Sequence, residues 1–268
     1  MRKLFEPVMK PTLMTGISIS LVEKNHLDHF TFLPNKMGFD VKEIDGVTII
    51  NCSLKTSMFN IAYGSPKSLD MSGSVREIKR IFTGQPFAWW IPPSDYNPKV
   101  TEVIINEGLA PETTEHAMIC DIGISIASAK KTDLSIKHVR NEYLLEDFLK
   151  VLEVYDPYVR KFYKKMQGEL FNSDEKLVVG YVDNRPVSIG ILFSSQDNAG
   201  IFSLITNEDA RGKGYGREMM IFLMNLAKEN GCQTVTLSAS SEDGYRIYER
   251  LGFRKVGEFE CFEYKGDW

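Results

Sequence analysis

Apolar and polar positions along this chain switch repeatedly between a two-residue alternation and a helical spacing. Residues up to about 35 are weakly patterned and predict a short helix followed by loop. From Phe39 the pattern becomes strand-like, with residues 40–44 and 47–50 flanking Asp45-Gly46. Asp-Gly between β-favouring runs is a strong hairpin signal. A further strand is predicted at 60–63. Val75, Ile78, Ile81 and Phe82 give a helix that Gly84 closes. Residues 86–91 read as a strand ended by Pro92-Pro93, and a helix over 98–106, a turn at Gly108-Leu109 and a strand over 116–120 complete this part.

Residues 125–133 break the apolar pattern with small residues and Lys130-Lys131, and are read as a linker. Beyond it the pattern predicts a strand at 134–139, then an amphipathic helix carrying Tyr143, Leu144, Phe148 and Leu152. A second helix is predicted at 157–167. Two strands, 177–182 and 187–192, flank Asp183-Asn184-Arg185-Pro186 as a hairpin. A strand at 201–206 leads through a glycine-rich turn into a helix over 219–228, which Asn230-Gly231 stops. The chain ends with strand 234–237, helix 243–251, the turn Gly252-Phe253 and strand 259–264. This last order of strand, helix, glycine turn and strand repeats that of residues 86–120, so the chain reads as two related halves, 1–128 and 129–268. The fold class expected is α/β (α+β), a mixed and mainly antiparallel central sheet flanked by helices.

The turn between strand 201–206 and the next helix is Arg211-Gly212-Lys213-Gly214-Tyr215-Gly216. Glycines there let successive backbone N–H groups converge at the positive end of the helix dipole, which suits phosphate or pyrophosphate. By itself the hexapeptide fits a tight glycine turn that binds nothing equally well. The even spacing of Gly212, Gly214 and Gly216 excludes G-x-G-x-x-G, and Gly214 after Lys213 excludes G-x-x-x-x-G-K-[ST].

Arg211-x-x-Gly214-x-Gly216 resembles the acyl-CoA pyrophosphate loop, Q/R-x-x-G-x-G/A, of the GNAT N-acetyltransferase superfamily. The preceding Thr206-Asn207-Glu208-Asp209-Ala210 is similar to the T-x-P-x-x-R-G-x-G form of some members, with Glu208 where proline is common. A second block, Tyr248-Glu249-Arg250-Leu251-Gly252-Phe253, resembles the family's L-Y-E-x-L-G-F. The resemblance runs from about Thr132 to the C-terminus and implies a GNAT-like fold in tandem. The first half lacks R-x-x-G-x-G and resembles a degenerate copy. Shaping the acceptor pocket and serving only as a packing partner are both open to it.

What the resemblance implies is transfer of an acetyl group from acetyl-CoA to an amine. Arg211, Gly212, Lys213, Gly214, Tyr215 and Gly216 would hold the pyrophosphate, and Leu204, Ile205 and Thr206 would pair with the pantetheine arm and polarise the thioester carbonyl. Ser241 stands where many members place an asparagine that contacts the CoA arm. Tyr248 stands at the usual general acid, with Tyr245 one turn away in reserve. A phenol of pKa about 10 can protonate a thiolate of comparable basicity, about 8.5 for a model thiol. Some members use a strand glutamate as base, but residues 201–206 contain no carboxylate, and Asp197, Glu208 and Asp209 match no motif position. The base is unassigned. A non-catalytic acyl-CoA-binding or sensor protein is the alternative reading, and a purely structural protein a third.

Composition adds exclusions. A net charge of −4, with 43% hydrophobic and 25% charged residues, is that of a soluble globular protein and argues against nucleic acid or an anionic membrane as partner. Cys52, Cys120, Cys232 and Cys261 are scattered, as in a reducing cytoplasm, and Cys120 and Cys261 fall within strands. His26, Asp28 and His29 are read as a surface cluster, and no metal site is expected. No apolar run follows Arg2 and Lys3, because Glu6, Lys10 and Pro11 interrupt it, so no signal peptide is expected. The remaining partner is an amine-bearing acceptor, small molecule or protein, and neither its identity nor an oligomeric state is legible.

Overall fold

A computed structural model of the chain describes residues 11–123, 126, 131–171 and 173–266. The stretch around Arg2 to Lys10 lies outside the described residues, as do residue 124 and residues 125 and 127–130 of the expected linker.

The N-terminal segment departs from expectation. It forms one helix, α1 (Pro11–Lys36), of 26 residues. Its apolar stripe is hard to see in sequence because Ser18, Asn25 and His26 are buried alongside Val22 and Leu33. There follow β1 (Asp40–Ile44) and β2 (Val47–Asn51), β3 (Asn60–Tyr63), α2 (Met71–Ile81), β4 (Phe87–Ile91), α3 (Pro98–Asn106), the short β5 (Ala110–Pro111) and β6 (Glu115–Asp121). The second half contains β7 (Ser135–His138), α4 (Glu142–Leu152), α5 (Val159–Leu170), β8 (Glu175–Val182), β9 (Arg185–Ser195), β10 (Asn198–Thr206), α6 (Tyr215–Glu229), β11 (Thr234–Ala239), α7 (Glu242–Arg250) and β12 (Arg254–Tyr264). The β8–β9 hairpin turns on Asp183 and Asn184 at φ 49° and 60°, the left-handed pair that a two-residue turn requires.

All strands join one 12-stranded sheet in the order β1-β2-β3-β4-β12-β6-β11-β10-β9-β8-β7, with β5 beside β12. It is antiparallel except at β3/β4 and β10/β11. Each of those two parallel pairs is joined through a helix, α2 in the first case and α6 in the second. The halves exchange their last strands. β6 lies between β11 and β12, pairing Ala117 with Ser238 and Glu115 with Phe259. In return, the end of β12 lies against β4, pairing Cys261 with Trp90.

Alternation along β6 sends Ala117 and Ile119 to one face, and Met118 and Cys120 to the other. Helices α1, α4 and α5 cover the first face, with Phe148, Leu149, Phe162 and Met166 fully buried. On the opposite face α6 packs through Met219, Met220, Leu223 and Met224. Across the first half that face is covered by α2 and α3, around Trp89 and the stacked rings of Phe82 and Phe87, 4.2 Å apart. All four cysteines are free and buried. Among the described residues, no helix is long and apolar enough to cross a membrane.

Candidate active site

The site begins where two strands part. β10 and β11 pair in parallel only from Asn198↔Thr234 to Gly200↔Thr236. Beyond that point β10 runs on to Thr206 with β9 on one edge and, among the described residues, no strand on the other. The register on β9 slips between Phe202 and Ile205, and Ser203 takes φ 46°, so a bulge turns the strand inside the opening. Leu204 packs toward the α6 face, while Phe202 and Ile205 pack toward α1, α4 and α5. Ser188 Oγ donates to the Ile205 carbonyl at 2.7 Å and lies 3.1 Å from Thr206 Oγ1, which braces the end of the strand. An unpaired strand edge inside a cleft can accept an extended partner by backbone hydrogen bonds, as a pantetheine arm would need.

After Thr206 a short turn (Glu208–Ala210) leads to the glycine loop. Gly212 and Gly214 have φ 76° and 91°, a conformation that costs other residues about 1 kcal/mol or more. Gly214 is the N-cap of α6, and no side chain caps that helix end. Among the described residues, the first-turn N–H groups of this 15-residue helix therefore open on the loop without a carboxylate or hydroxyl capping them. The cradle leaves room for ordinary van der Waals contacts only on the side of Thr206 and Thr132. A Cβ on Gly216 would come within 3.4 Å of Thr206 Oγ1, and one on Gly214 within 3.6 Å of Thr132 Cγ2.

The side chains of the loop divide by task. Arg211 turns back, donating from Nε to the Thr206 carbonyl at 3.1 Å and from a terminal nitrogen to Tyr155 Oη at 2.7 Å, so it ties the loop to the strand and to the α4–α5 connection. Tyr215 is buried and donates to Asp133 Oδ1 at 2.8 Å, away from the loop. Lys213 is exposed. Such a site offers an anion chiefly backbone N–H groups, with Lys213, whose charge also acts on Asp209, as an exposed cation of the motif.

Across the opening, α7 starts from Ser241, whose Oγ accepts the Gly244 N–H at 3.2 Å. One lone pair of this hydroxyl thus caps the helix, and its O–H stays available as a donor. Tyr248 is half-buried against the α6 side of the core, its ring 6.0 Å from that of Phe253. A Cβ on Gly244 would stand 3.4 Å from the Tyr248 hydroxyl, so this glycine leaves the room the phenol occupies. Burial, and then the charge of Glu115, push the Tyr248 phenol up to about 12. It therefore stays protonated at neutral pH. Tyr245 points elsewhere: its hydroxyl bonds Glu249 at 3.2 Å and its ring packs edge-on against His116 at 4.9 Å.

On the other side of the sheet, α1 closes the opening. The Asn25 amide lies directly over Gly200, where a Cβ would fall 1.9 Å from its Oδ1. His26 is buried amid the rings of Phe30, Trp90 and Phe259, at 4.3, 4.8 and 4.6 Å, and His29 stacks on Phe202 at 3.7 Å. These histidines belong to the interior, which corrects the surface cluster expected from sequence. Their burial follows from α1 crossing both halves, a long-range packing that local spacing does not encode. Sequence reading also passed over Gly244 and Glu115, because neither falls at a position of the recognised motifs.

Comparison with known proteins bears on the fold. Residues 139–253 match the model of the acetyltransferase (GNAT) family. A GCN5-related N-acetyltransferase from Kribbella flavida superposes with TM-score 0.70 at 12% identity, covering 93% of this chain and 96% of that one. A functionally unknown conserved protein from Staphylococcus epidermidis gives 0.66 at 15% identity, covering 85% and 95%. A tandem GNAT protein from the clavulanic acid biosynthesis pathway gives 0.50 at 10% identity, over 74% and 69%. At such identities the likeness is one of fold. No curated protein matches the sequence.

Proposed function

We propose that this chain, whose residues 139–253 form a domain of the acetyltransferase (GNAT) family, is an acetyl-CoA-dependent N-acetyltransferase acting on an amine-bearing acceptor. The observation that carries the reading is the uncapped N-terminus of α6, placed at the end of the strand that leaves β11. One group of this shape would lay its pyrophosphate on Gly212–Gly216 and run its arm along the unpaired edge of Leu204, Ile205 and Thr206. Acetyl-CoA supplies the activated acyl group as a thioester.

The protein's own contribution follows from its residues. Backbone N–H groups at the unpaired edge of β10 would meet the thioester oxygen as charge develops on it. Tyr248 would donate to the departing sulfur. At about 12 the phenol is a weaker acid than a thiol in water, so it acts first as a hydrogen-bond donor, and transfer is completed as the desolvated thiolate becomes more basic. The halves 1–128 and 129–268 serve different ends: the second holds acetyl-CoA, and the first closes the acceptor side through α1 and β6. The acceptor would be a small-molecule or protein amine, and the reaction would take place in the cytoplasm.

Calorimetry with acetyl-CoA tests this on the wild type and on Gly214→Glu, whose carboxylate would fill the loop. Saturable one-to-one binding by the wild type and none by the variant is the expected outcome. Absence of binding by the wild type would remove the proposed activity.

A further inference from the structure

We infer that Glu115, carried into the second half by the exchanged strand β6, takes the proton from the attacking amine while Tyr248 serves the leaving sulfur. The inference rests on the proposed acetyl transfer. It supplies the base that the motifs left unassigned.

The placement comes from strand register. β11 ends at Ala239, opposite His116, so Glu115 is the first residue of β6 beyond it and lies level with the start of α7. Glu115 shares the face of Ala117, Ser238 and Phe259, the face that α1 covers. Ser238 donates to its carboxylate, and Phe259 stands opposite on β12. Tyr248 arrives from the other face, and its phenol interacts with the Glu115 charge past the open end of β11. An acceptor entering from the α1 side would meet the carboxylate, while the thioester sulfur would meet the phenol.

Two properties suit Glu115 to the task. Burial pushes its carboxyl above the ordinary range, against the lowering effect of the Ser238 bond, which makes it a better proton acceptor than a solvated glutamate. Its charge is also one of the causes that raise Tyr248. The proton balance then closes on the pair. The neutral amine nitrogen forms the C–N bond, and the carbonyl π electrons move to oxygen. The nitrogen's proton passes to Glu115. As the carbonyl re-forms, the C–S bond breaks and the sulfur takes the Tyr248 proton. Neutral Glu115 no longer opposes ionisation of Tyr248, so the acid strengthens when the thiolate leaves. Return of the proton from Glu115 to the phenolate resets both groups.

The test uses the full chain with Glu115→Gln, Glu115→Asp and Tyr248→Phe. Turnover is followed as thiol release from acetyl-CoA, with the primary amine that the wild type acetylates fastest among spermidine, glucosamine, lysine and a lysine-containing peptide. Glu115→Gln is expected to lower kcat about 100-fold and to flatten the acid limb of the kcat/KM profile, with Glu115→Asp regaining part of the rate. Acetyl-CoA affinity, measured by calorimetry, should stay within about twofold. Independently of any acceptor, the 19F resonance of 3-fluorotyrosine at position 248, assigned by its loss in Tyr248→Phe, should titrate about one pH unit lower in Glu115→Gln. An unmoved Tyr248 titration, or wild-type kcat in Glu115→Gln, would overturn the inference and leave the acetyltransferase standing. Failure of the wild type to bind acetyl-CoA would overturn both.

Discussion

Helices α2 and α6 occupy the same place in the two halves, each following the first strand of a parallel pair, yet they treat an anion in opposite ways. α6 begins at Gly214 with no side chain on its N-terminus. α2 begins at Asp70, whose Oδ1 accepts the Gly73 N–H at 2.9 Å, while Asp45 accepts from Ser74 Oγ at 2.6 Å. A carboxylate already sits where a phosphate would go. The strands differ too. β3 stays paired with β4 through its last residue, Tyr63, and Gly64 continues the stitch by donating to the Trp90 carbonyl at 2.9 Å. The Trp89 indole then donates to the Gly64 carbonyl at 2.9 Å. β10 instead keeps six residues beyond its last partner on β11. The two strand-to-helix connections thus differ in two local ways: a capping aspartate and a closed strand pair.

That contrast can be broken at its strongest point with Gly214→Asp, which gives α6 the cap that α2 has. Acetyl-CoA affinity should fall about 100-fold, read by calorimetry, with strain at a positive φ adding a modest loss of stability in thermal melts. Next in size, Tyr248→Phe should lower kcat by about 100-fold and leave acetyl-CoA affinity within about twofold, measured by steady-state kinetics and calorimetry. Equal turnover in this variant would remove the phenol from the acid role.

A third effect concerns the helix that spans both halves. Burial, and then the neighbouring His29, push the His26 imidazole down to about 3. The folded chain keeps it neutral while the unfolded chain protonates it near 6.5, so the unfolded state binds more protons as pH falls. Stability should therefore be unaffected above about pH 7 and drop by about 2 kcal/mol at pH 5 through this group. In denaturant titrations, the loss of unfolding free energy from pH 7 to pH 5 should be larger in the wild type than in His26→Leu by that amount. The smallest effect sharpens the comparison from the other side. Asp70→Ala should cost about 1 kcal/mol of stability and leave acetyl-CoA affinity unchanged, since the closed β3/β4 pair still denies the first half a cleft.

Much of this architecture was legible because its causes are local. Asp183-Asn184-Arg185-Pro186 marked a hairpin, which the structure tightens to the left-handed pair Asp183 and Asn184, Asn230-Gly231 ended α6, and the glycines from Gly212 on marked a strand-to-helix turn. The repeat of strand, helix, turn and strand was visible for the same reason. What escaped was non-local. Nothing within β6 says that its neighbours are β11 and β12, more than a hundred residues on, so the carboxylate of Glu115 could not be set beside Tyr248. α1 escaped because its buried face carries Asn25 and His26, polar residues that only the packed interior explains. The bulge at Ser203 likewise depends on the register with β9.

The exchanged strands also bear on how the chain is made. β4 ends at Ile91, but the strand that covers its outer edge, residues 260–264 of β12, is synthesised well over a hundred residues later. Until then the first half carries an open sheet edge, and β6 has no partner on either side, because both of its neighbours lie beyond residue 233. Such edges invite pairing with other chains. Completion of either half must wait for β12, so nascent chains should depend on shielding of β4 and β6 during synthesis, and a release of the first half alone would leave it unfinished.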